Sequence, residues 1–223
     1  MKKMKIIRNK KGVTLTELVV VMAIIGILAM IGVPQYQLYA AKSGVRRAAN
    51  DLLQNARLAR TLAIKESRPY VIAFNVPVAN SYSIGFDTNG DGLPEGYENT
   101  VVRVVNLQTA YGGSIVFATT ANTGPDEPDA CGNCIAIAGS TVAFGLIGPT
   151  VFQQFNPDGS VGFTGSAFIT HNINGFTYML RTSYQSGNID LWAWDGDIAN
   201  PAPPQPVQCA NPPIRYCGWT EVR

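Results

Sequence analysis

A chain of 223 residues with 46% apolar, 9% aromatic and only 14% charged residues holds one medium domain plus an appendage, and is too apolar and aromatic to be disordered. Its formal charge of +2 hides an asymmetry. Six cations and no acid stand in residues 1–12, and the remainder carries eleven basic residues against fifteen acidic ones, a net of −4. Charge therefore argues against a basic nucleic-acid-binding domain.

Behind Lys2, Lys3, Lys5, Arg8, Lys10 and Lys11 runs the apolar string LVVVMAIIGILAMIGV, residues 18–33. From Val13 to Ala41 the one charge is Glu17. Counted from Val13, the segment reaches the ~20 residues that an α-helix needs to cross a bilayer. The cations before it hold that end in the cytoplasm and send the C-terminus outward. A plain membrane anchor, or a secretory signal cut near Ala40 or Ala41, would share these features. Glu17 sets the segment apart, because a carboxylate inside a membrane helix costs roughly 3 kcal/mol and marks function.

Glu17 stands fifth after Gly12 in Lys10-Lys11-Gly12-Val13-Thr14-Leu15-Thr16-Glu17, and Pro34 follows in the same helix. In these residues the sequence resembles the type IV pilin and type II secretion pseudopilin family. The resemblance implies that residues 1–12 are a leader, that prepilin peptidase cuts between Gly12 and Val13, and that Val13 is then N-methylated. Val13 stands where many members carry Phe or Met. It further implies that Glu17 pairs with the α-amino group of a neighbouring subunit's Val13, setting register during assembly, and that Pro34 kinks the helix.

After Pro34 the pattern turns amphipathic. Val45, Ala48, Ala49, Leu52, Ala56, Ala59 and Ala63 follow a 3–4 spacing, while Lys42, Arg46, Arg47, Asp51, Gln54, Arg57 and Arg60 fill much of the other surface. Gly44 and Pro34 are the points where the helix would bend. The spacing predicts one helix over residues 13–66, with 13–34 in the membrane, ended by Pro69. The stretch LLQNARLARTLAIKESRPYVIAF also resembles the GspH/FimT subfamily of minor pseudopilins and minor pilins, in which such a helix runs into the first strand of the head.

Residues 67–223 read as an all-β head of short strands between turn signals. Strands are expected at 70–76, 81–86, 100–106, 114–118, 141–145, 151–155, 161–170, 175–182 and 189–194. Phe155-Asn156-Pro157-Asp158-Gly159 resembles the Phe-x-Pro-x-Gly turn of GspH-type heads, and the six prolines of residues 201–213 suggest an extended surface loop.

Several residue groups carry candidate chemistry. Residues 87–98 fit D-x-N-x-D-G-x₅-E, which would offer calcium the side chains of Asp87, Asn89 and Asp91, the Leu93 carbonyl, and Glu95 or Glu98. An acid-rich Asn-Gly/Asp-Gly hairpin turn reads the same residues without a metal. Cys131, Cys134, Cys209 and Cys217 are even in number and face an oxidising compartment, so disulfides are the default, with connectivity open and a zinc site as rival. Trp192 and Trp194 project to one side of a strand, with Asp190, Asp195 and Asp197 near in sequence, and would form either core or a sugar-stacking platform. His171, the sole histidine, lacks a nucleophile motif and decorates a turn.

The reading is an α+β pilin-like protein: a long N-terminal helix, transmembrane then amphipathic, packed on a β-rich head. Its function would be that of a minor pseudopilin of a type II secretion pseudopilus rather than an enzyme. The alternatives are a type IV pilus minor pilin, for assembly, adhesion or DNA uptake, and a membrane-tethered glycan-binding module. The expected site is a bacterial inner membrane, single-pass with a periplasmic head, and then a periplasmic pseudopilus or surface pilus. Expected partners are other pilin or pseudopilin subunits, prepilin peptidase, the inner-membrane assembly machinery and the membrane, with nucleic acid disfavoured and calcium the one cofactor.

Overall fold

The computed structural model describes residues 13–87, 89–94, 102–117, 127–128, 134–135, 142–143, 145–147, 150–184, 187–194, 215–216 and 219–222. The apolar run and the 3–4 pattern after it form one continuous helix, α1 (Leu15–Glu66), with Pro34 inside it. Pro34 has no N–H to offer, so the Met30 carbonyl loses its helical donor. Compactness divides the chain between Ala40 and Ala41, within α1. In the first unit every residue from Val13 to Ala40 is exposed, and α1 contains a stretch long and apolar enough to cross a membrane.

In the second unit α1 buries Gly44, Val45, Ala48, Ala49, Leu52, Leu53, Asn55, Ala56, Ala59 and Ala63. Six of these are Ala or Gly, which lets the helix axis lie close to what it covers. Gly44 is a packing device rather than the expected bend: a Cβ there would sit 3.0 Å from Ile115 Cδ1 and 3.2 Å from the Tyr111 carbonyl. Ser67 adopts a left-handed conformation (φ 52°) and ends the helix, and Pro69 prevents its resumption.

The strands follow as β1 (Tyr70–Phe74), β2 (Ser81–Phe86), β3 (Arg103–Asn106), a one-turn helix α2 (Leu107–Tyr111), β4 (Ile115–Phe117), β5 (Glu127–Pro128), β6 (Cys134–Ile135), β7 (Val142–Ala143), β8 (Gly145–Ile147), β9 (Thr150–Phe155), β10 (Gly165–His171), β11 (Thr177–Tyr184), β12 (Asn188–Trp194), β13 (Arg215–Tyr216) and β14 (Trp219–Glu221). They build a five-stranded sheet, order β3-β2-β1-β9-β8, and a seven-stranded sheet along β13-β14-β12-β11-β10-β4 with β7 also on β10. β5 and β6 pair separately, and all the pairings are antiparallel. Eight of the nine expected strands correspond to β1–β4 and β9–β12 with ends shifted by a few residues, whereas the ninth, 141–145, divides between β7 and the start of β8, which belong to different sheets; β5, β6, β13, β14 and α2 were not expected.

Register explains the core. In β1–β2, Tyr70 opposes Phe86, Ile72 opposes Ile84 and Phe74 opposes Tyr82, so these side chains share one face. Tyr70, Ile72, Phe74, Tyr82, Ile84 and Phe155 join the buried α1 residues and Leu180, Ile189 and Leu191 of the second sheet in one cluster. The opposite face of the first sheet is covered too. Phe163 stacks edge-on against Phe152 (centroids 5.3 Å apart), and Pro94 lies against Gly85. This is why β1 is buried along its whole length rather than alternately.

Candidate functional site

Gly12 lies outside the described residues, and the description begins at Val13. Thr14 caps α1: its hydroxyl accepts from the Glu17 backbone N–H at 3.2 Å, and its carbonyl accepts from Leu18 N at 3.2 Å. This is the Thr-x-x-Glu arrangement of a helix start, readable in the sequence and missed there. It sets the exposed Glu17 in the first turn, where the positive end of the helix favours a carboxylate. Pro34 lies four turns and more further along the same helix.

At the other end of α1, Asp51 and Asn55, one turn apart, form a polar node with the sheet. Asn55 Nδ2 donates to Asp51 Oδ2 (2.9 Å) and to the Tyr82 hydroxyl (2.7 Å), which itself donates to Asp51 Oδ2 (2.8 Å). From β3, Arg103 Nη1 donates to Asn55 Oδ1 (3.2 Å) and Nη2 to Asp51 (3.2 and 3.3 Å). Asn55 is buried although it is polar, because every one of its side-chain atoms capable of bonding has a partner. Burial, and then the bond to the Asp51 carboxylate, pushes the Tyr82 hydroxyl well above its ordinary range, and the same two causes act on Tyr111. A raised phenol holds its proton where the unfolded chain has lost it. The stabilisation is therefore whole below about pH 10 and is lost as pH rises further. The melting temperature of the chain is expected to fall above pH 10, and Tyr82→Phe with Tyr111→Phe should flatten that fall in a pH series of thermal unfolding.

A second junction lies two turns on. Arg60 Nε donates to the Gly159 carbonyl at 2.8 Å, so the helix and the turn Phe155-Asn156-Pro157-Asp158-Gly159 are in direct contact. Asp158 shapes that turn by accepting from the Ser160 N–H (2.9 Å) and hydroxyl (2.6 Å), and these bonds lower its carboxyl below the usual range. Gly187 closes the junction at φ +80°, where a Cβ would fall 2.4 Å from the Gly159 carbonyl and 2.8 Å from Arg60 Nε. Gly187→Ala is expected to cost about 2–4 kcal/mol, the sum of a left-handed backbone and a clash with main chain. Gly90→Ala, also at positive φ but with open space around the new Cβ, should cost only about 1 kcal/mol. Chemical unfolding of the two variants checks the difference.

The acidic loop lies over the first sheet. Asp87 is buried, and its two oxygens accept from Gly90 N (2.7 Å) and Gly92 N (2.9 Å). Asn89 Oδ1 accepts from Asp91 N (3.0 Å) and Asp91 Oδ1 from Leu93 N (2.8 Å). The carboxylates thus brace the turn through backbone N–H groups, with Gly92 against the Phe152 ring. Among the described residues no three His, Cys, Asp or Glu side chains converge as a metal site. Glu95 and Glu98 lie outside the described residues.

Comparison with known proteins adds to this geometry. The family described as the prokaryotic N-terminal methylation motif matches residues 7–33, which contain Gly12, Val13 and Glu17. A fimbrial protein of Pseudomonas aeruginosa is 35% identical over 117 residues, covering 48% of this chain and 75% of that protein. The chain belongs to the type IV pilin family. Two further pilins match over shorter stretches. The type IV major fimbrial protein FimA of Dichelobacter nodosus is 57% identical over 42 residues, 19% of this chain and 27% of that protein. The type IV major alpha-pilin of Moraxella bovis is 54% identical over 43 residues, again 19% and 27%. No solved structure matches.

Within this pilin the remaining candidate residues fall in different places. Trp192 and Trp194 pack against the buried Phe168 and Met179 on the second sheet, the register setting Met179 opposite Trp192; Asp195 and Asp197 lie outside the described residues. Cys131, Cys209 and Cys217 lie outside them too, and of Cys134 only the backbone, in β6, is described. His171 closes the turn after β10, its Nδ1 accepting from Asn174 N at 3.3 Å, and burial lowers its proton affinity.

Proposed function

We propose that this pilin is a structural subunit of an extracellular type IV pilus, cut after Gly12, methylated at Val13 and held in the inner membrane by residues 13–34 until it is assembled with other pilin subunits. The observation that carries the reading is the match to a fimbrial protein over 75% of that protein's length, together with the methylation motif at the expected residues. Its matched relatives are named as fimbrial proteins, which favours a mechanical role over an enzymatic one. Prepilin peptidase and an inner-membrane assembly machinery are the partners this requires.

A second reading, a minor pseudopilin of the GspH/FimT type in a type II secretion system, is favoured by the Arg60–Gly159 bond, because it joins the two segments that resemble that subfamily. Deleting the gene separates the two readings. Lost surface filaments with normal secretion support the pilus, and lost secretion with filaments intact supports the pseudopilus. The packing of Trp192 and Trp194 on Phe168 and Met179 speaks for a core role over a glycan platform.

Calcium belongs to the proposal through the spacing of Asp87, Asn89, Asp91 and Leu93 with Glu95 and Glu98, and disulfides through the four cysteines. Chelation is expected to lower the melting temperature of the chain by several degrees. An unchanged value would mean that the loop stands on its own backbone bonds.

A further inference from the structure

Charge along the chain changes sign where α1 gives way to the strands. Residues 42–66 hold six cations and two carboxylates, whereas residues 67–223 hold five cations and twelve carboxylates. Among the described residues of one copy this asymmetry goes largely unused. The ion pair joining α1 to the sheet among the described residues runs the other way, with Asp51 on the helix and Arg103 on β3. Lys42, Arg46, Arg47 and Arg57 are exposed and form no ion pair among the described residues.

Lys42, Arg46, Asn50, Gln54 and Arg57 recur at four- and three-residue steps, so they share one side of the helix. That side opens into a groove between α1 and β12 of about 340 Å³. Leu53 and Leu191 lie in it as apolar floor, with Asn50, Gln54, Arg57 and Asp190 among its polar lining. Asp190 is already engaged, both of its oxygens accepting from Asn188 Nδ2 at 3.0 Å. Arg57 is the lining cation with no such partner. A guanidinium and two amides over an apolar floor suit a carboxylate carried on a methylene stem, as in Glu or Asp, better than a phosphate backbone.

We infer that this side of α1 is a docking surface for the acidic β-rich region of a second copy of this chain, with one of that copy's carboxylate side chains seated in the groove against Arg57. The inference rests on the filament reading above and adds to it which surface meets which. Charge complementarity is its basis: the cations of one copy face an excess of seven negative charges over residues 67–223 of the next.

The test uses an equal mixture of isotope-labelled and unlabelled full chain in a neutral detergent. A carbodiimide, which joins a lysine amine directly to a carboxylate, is added, and mass spectrometry reads the linked peptides. The expected product joins Lys42 or Lys65 of one copy to a carboxylate within residues 67–223 of the other. Sedimentation of the untreated chain is expected to show self-association that weakens about tenfold or more between 50 and 500 mM salt. Arg46→Glu with Arg57→Glu should abolish the linked product and weaken association at low salt to the same degree. Among the described residues neither side chain forms a hydrogen bond or ion pair, so melting should change little; should the variant misfold, the salt series and the linked peptides of the unaltered chain still decide. Links confined to one copy, or self-association indifferent to salt, would overturn the proposal. So would Arg57-dependent binding of anionic vesicles or nucleic acid by a chain that does not self-associate. Surface filaments that persist with the doubly reversed chain in them would overturn this docking and leave the filament reading standing.

Discussion

Asp51→Ala is expected to lower the stability of the chain by about 2–4 kcal/mol, a large effect for a residue on the polar side of a helix. The visible ion pair does not account for it. Arg103 and Asp51 are 46% and 22% exposed at their side chains, a range in which such pairs contribute only about 0–1 kcal/mol. The cost lies with the groups left behind. Tyr82 is fully buried and donates its hydroxyl proton to Asp51, and the buried Asn55 loses one of its two acceptors. Each such orphan costs about 1–3 kcal/mol. Arg103→Ala leaves the buried Asn55 Oδ1 without its donor but keeps the Tyr82 hydroxyl bonded, so it should cost less than Asp51→Ala. The double variant should cost more than Asp51→Ala but less than the sum, because the shared pair is lost once. Chemical unfolding in neutral detergent, read by near-ultraviolet circular dichroism, checks the order. Equal effects of the two single variants, with the double variant no worse than either, would mean that the exposed pair, not the buried hydroxyl, holds the node.

Glu17→Ala is expected to leave the protein folded and in the membrane while surface filaments fall by about tenfold or more. Removing a carboxylate makes the apolar segment cheaper to insert, so a defect cannot arise from poor membrane retention. If Glu17 pairs with a neighbouring subunit's α-amino group, as proposed, that partner is lost, and in a medium of low dielectric a missing partner is costly: every 1.4 kcal/mol is about tenfold in an equilibrium. Thr14→Ala separates pairing from capping. It removes the hydroxyl that accepts from the Glu17 N–H and should cost about 1 kcal/mol of helix start, with filaments reduced far less. Filament counts on cells carrying each variant decide, and an equal loss in both would move the role of Glu17 from subunit pairing to the helix cap.

The parts of this fold that were legible in the sequence are those with a helical period or with turn signals at their ends. The uncharged run and the 3–4 spacing of Val45, Ala48, Ala49, Leu52, Ala56 and Ala59 define α1 to its last turn, and short β-rich runs between turn signals place β1, β2 and β9–β12. Strands of two or three residues, such as β13 and β14, show no period to read. The polar node was missed for a different reason. Asp51 has the composition of a solvated face, and what draws it inward are Tyr82 and Arg103, 31 and 52 residues away. Asn55 did carry a signal, since it stands three residues after Leu52 and one before Ala56, inside the apolar stripe. The Phe-x-Pro-x-Gly turn and the helix arginines were each visible; that Arg60 bonds Gly159 is a fact of tertiary packing. Glycines read as weak points served close approach instead, Gly44 under Ile115 being the case in α1.

Filaments sheared from the cell surface and digested for mass spectrometry test the central claim most directly, through the first residue of this chain within them. The account predicts a chain beginning at Val13 with a methylated α-amino group. A chain beginning at Met1 or near Lys42, or one missing from filaments that form normally, would contradict it.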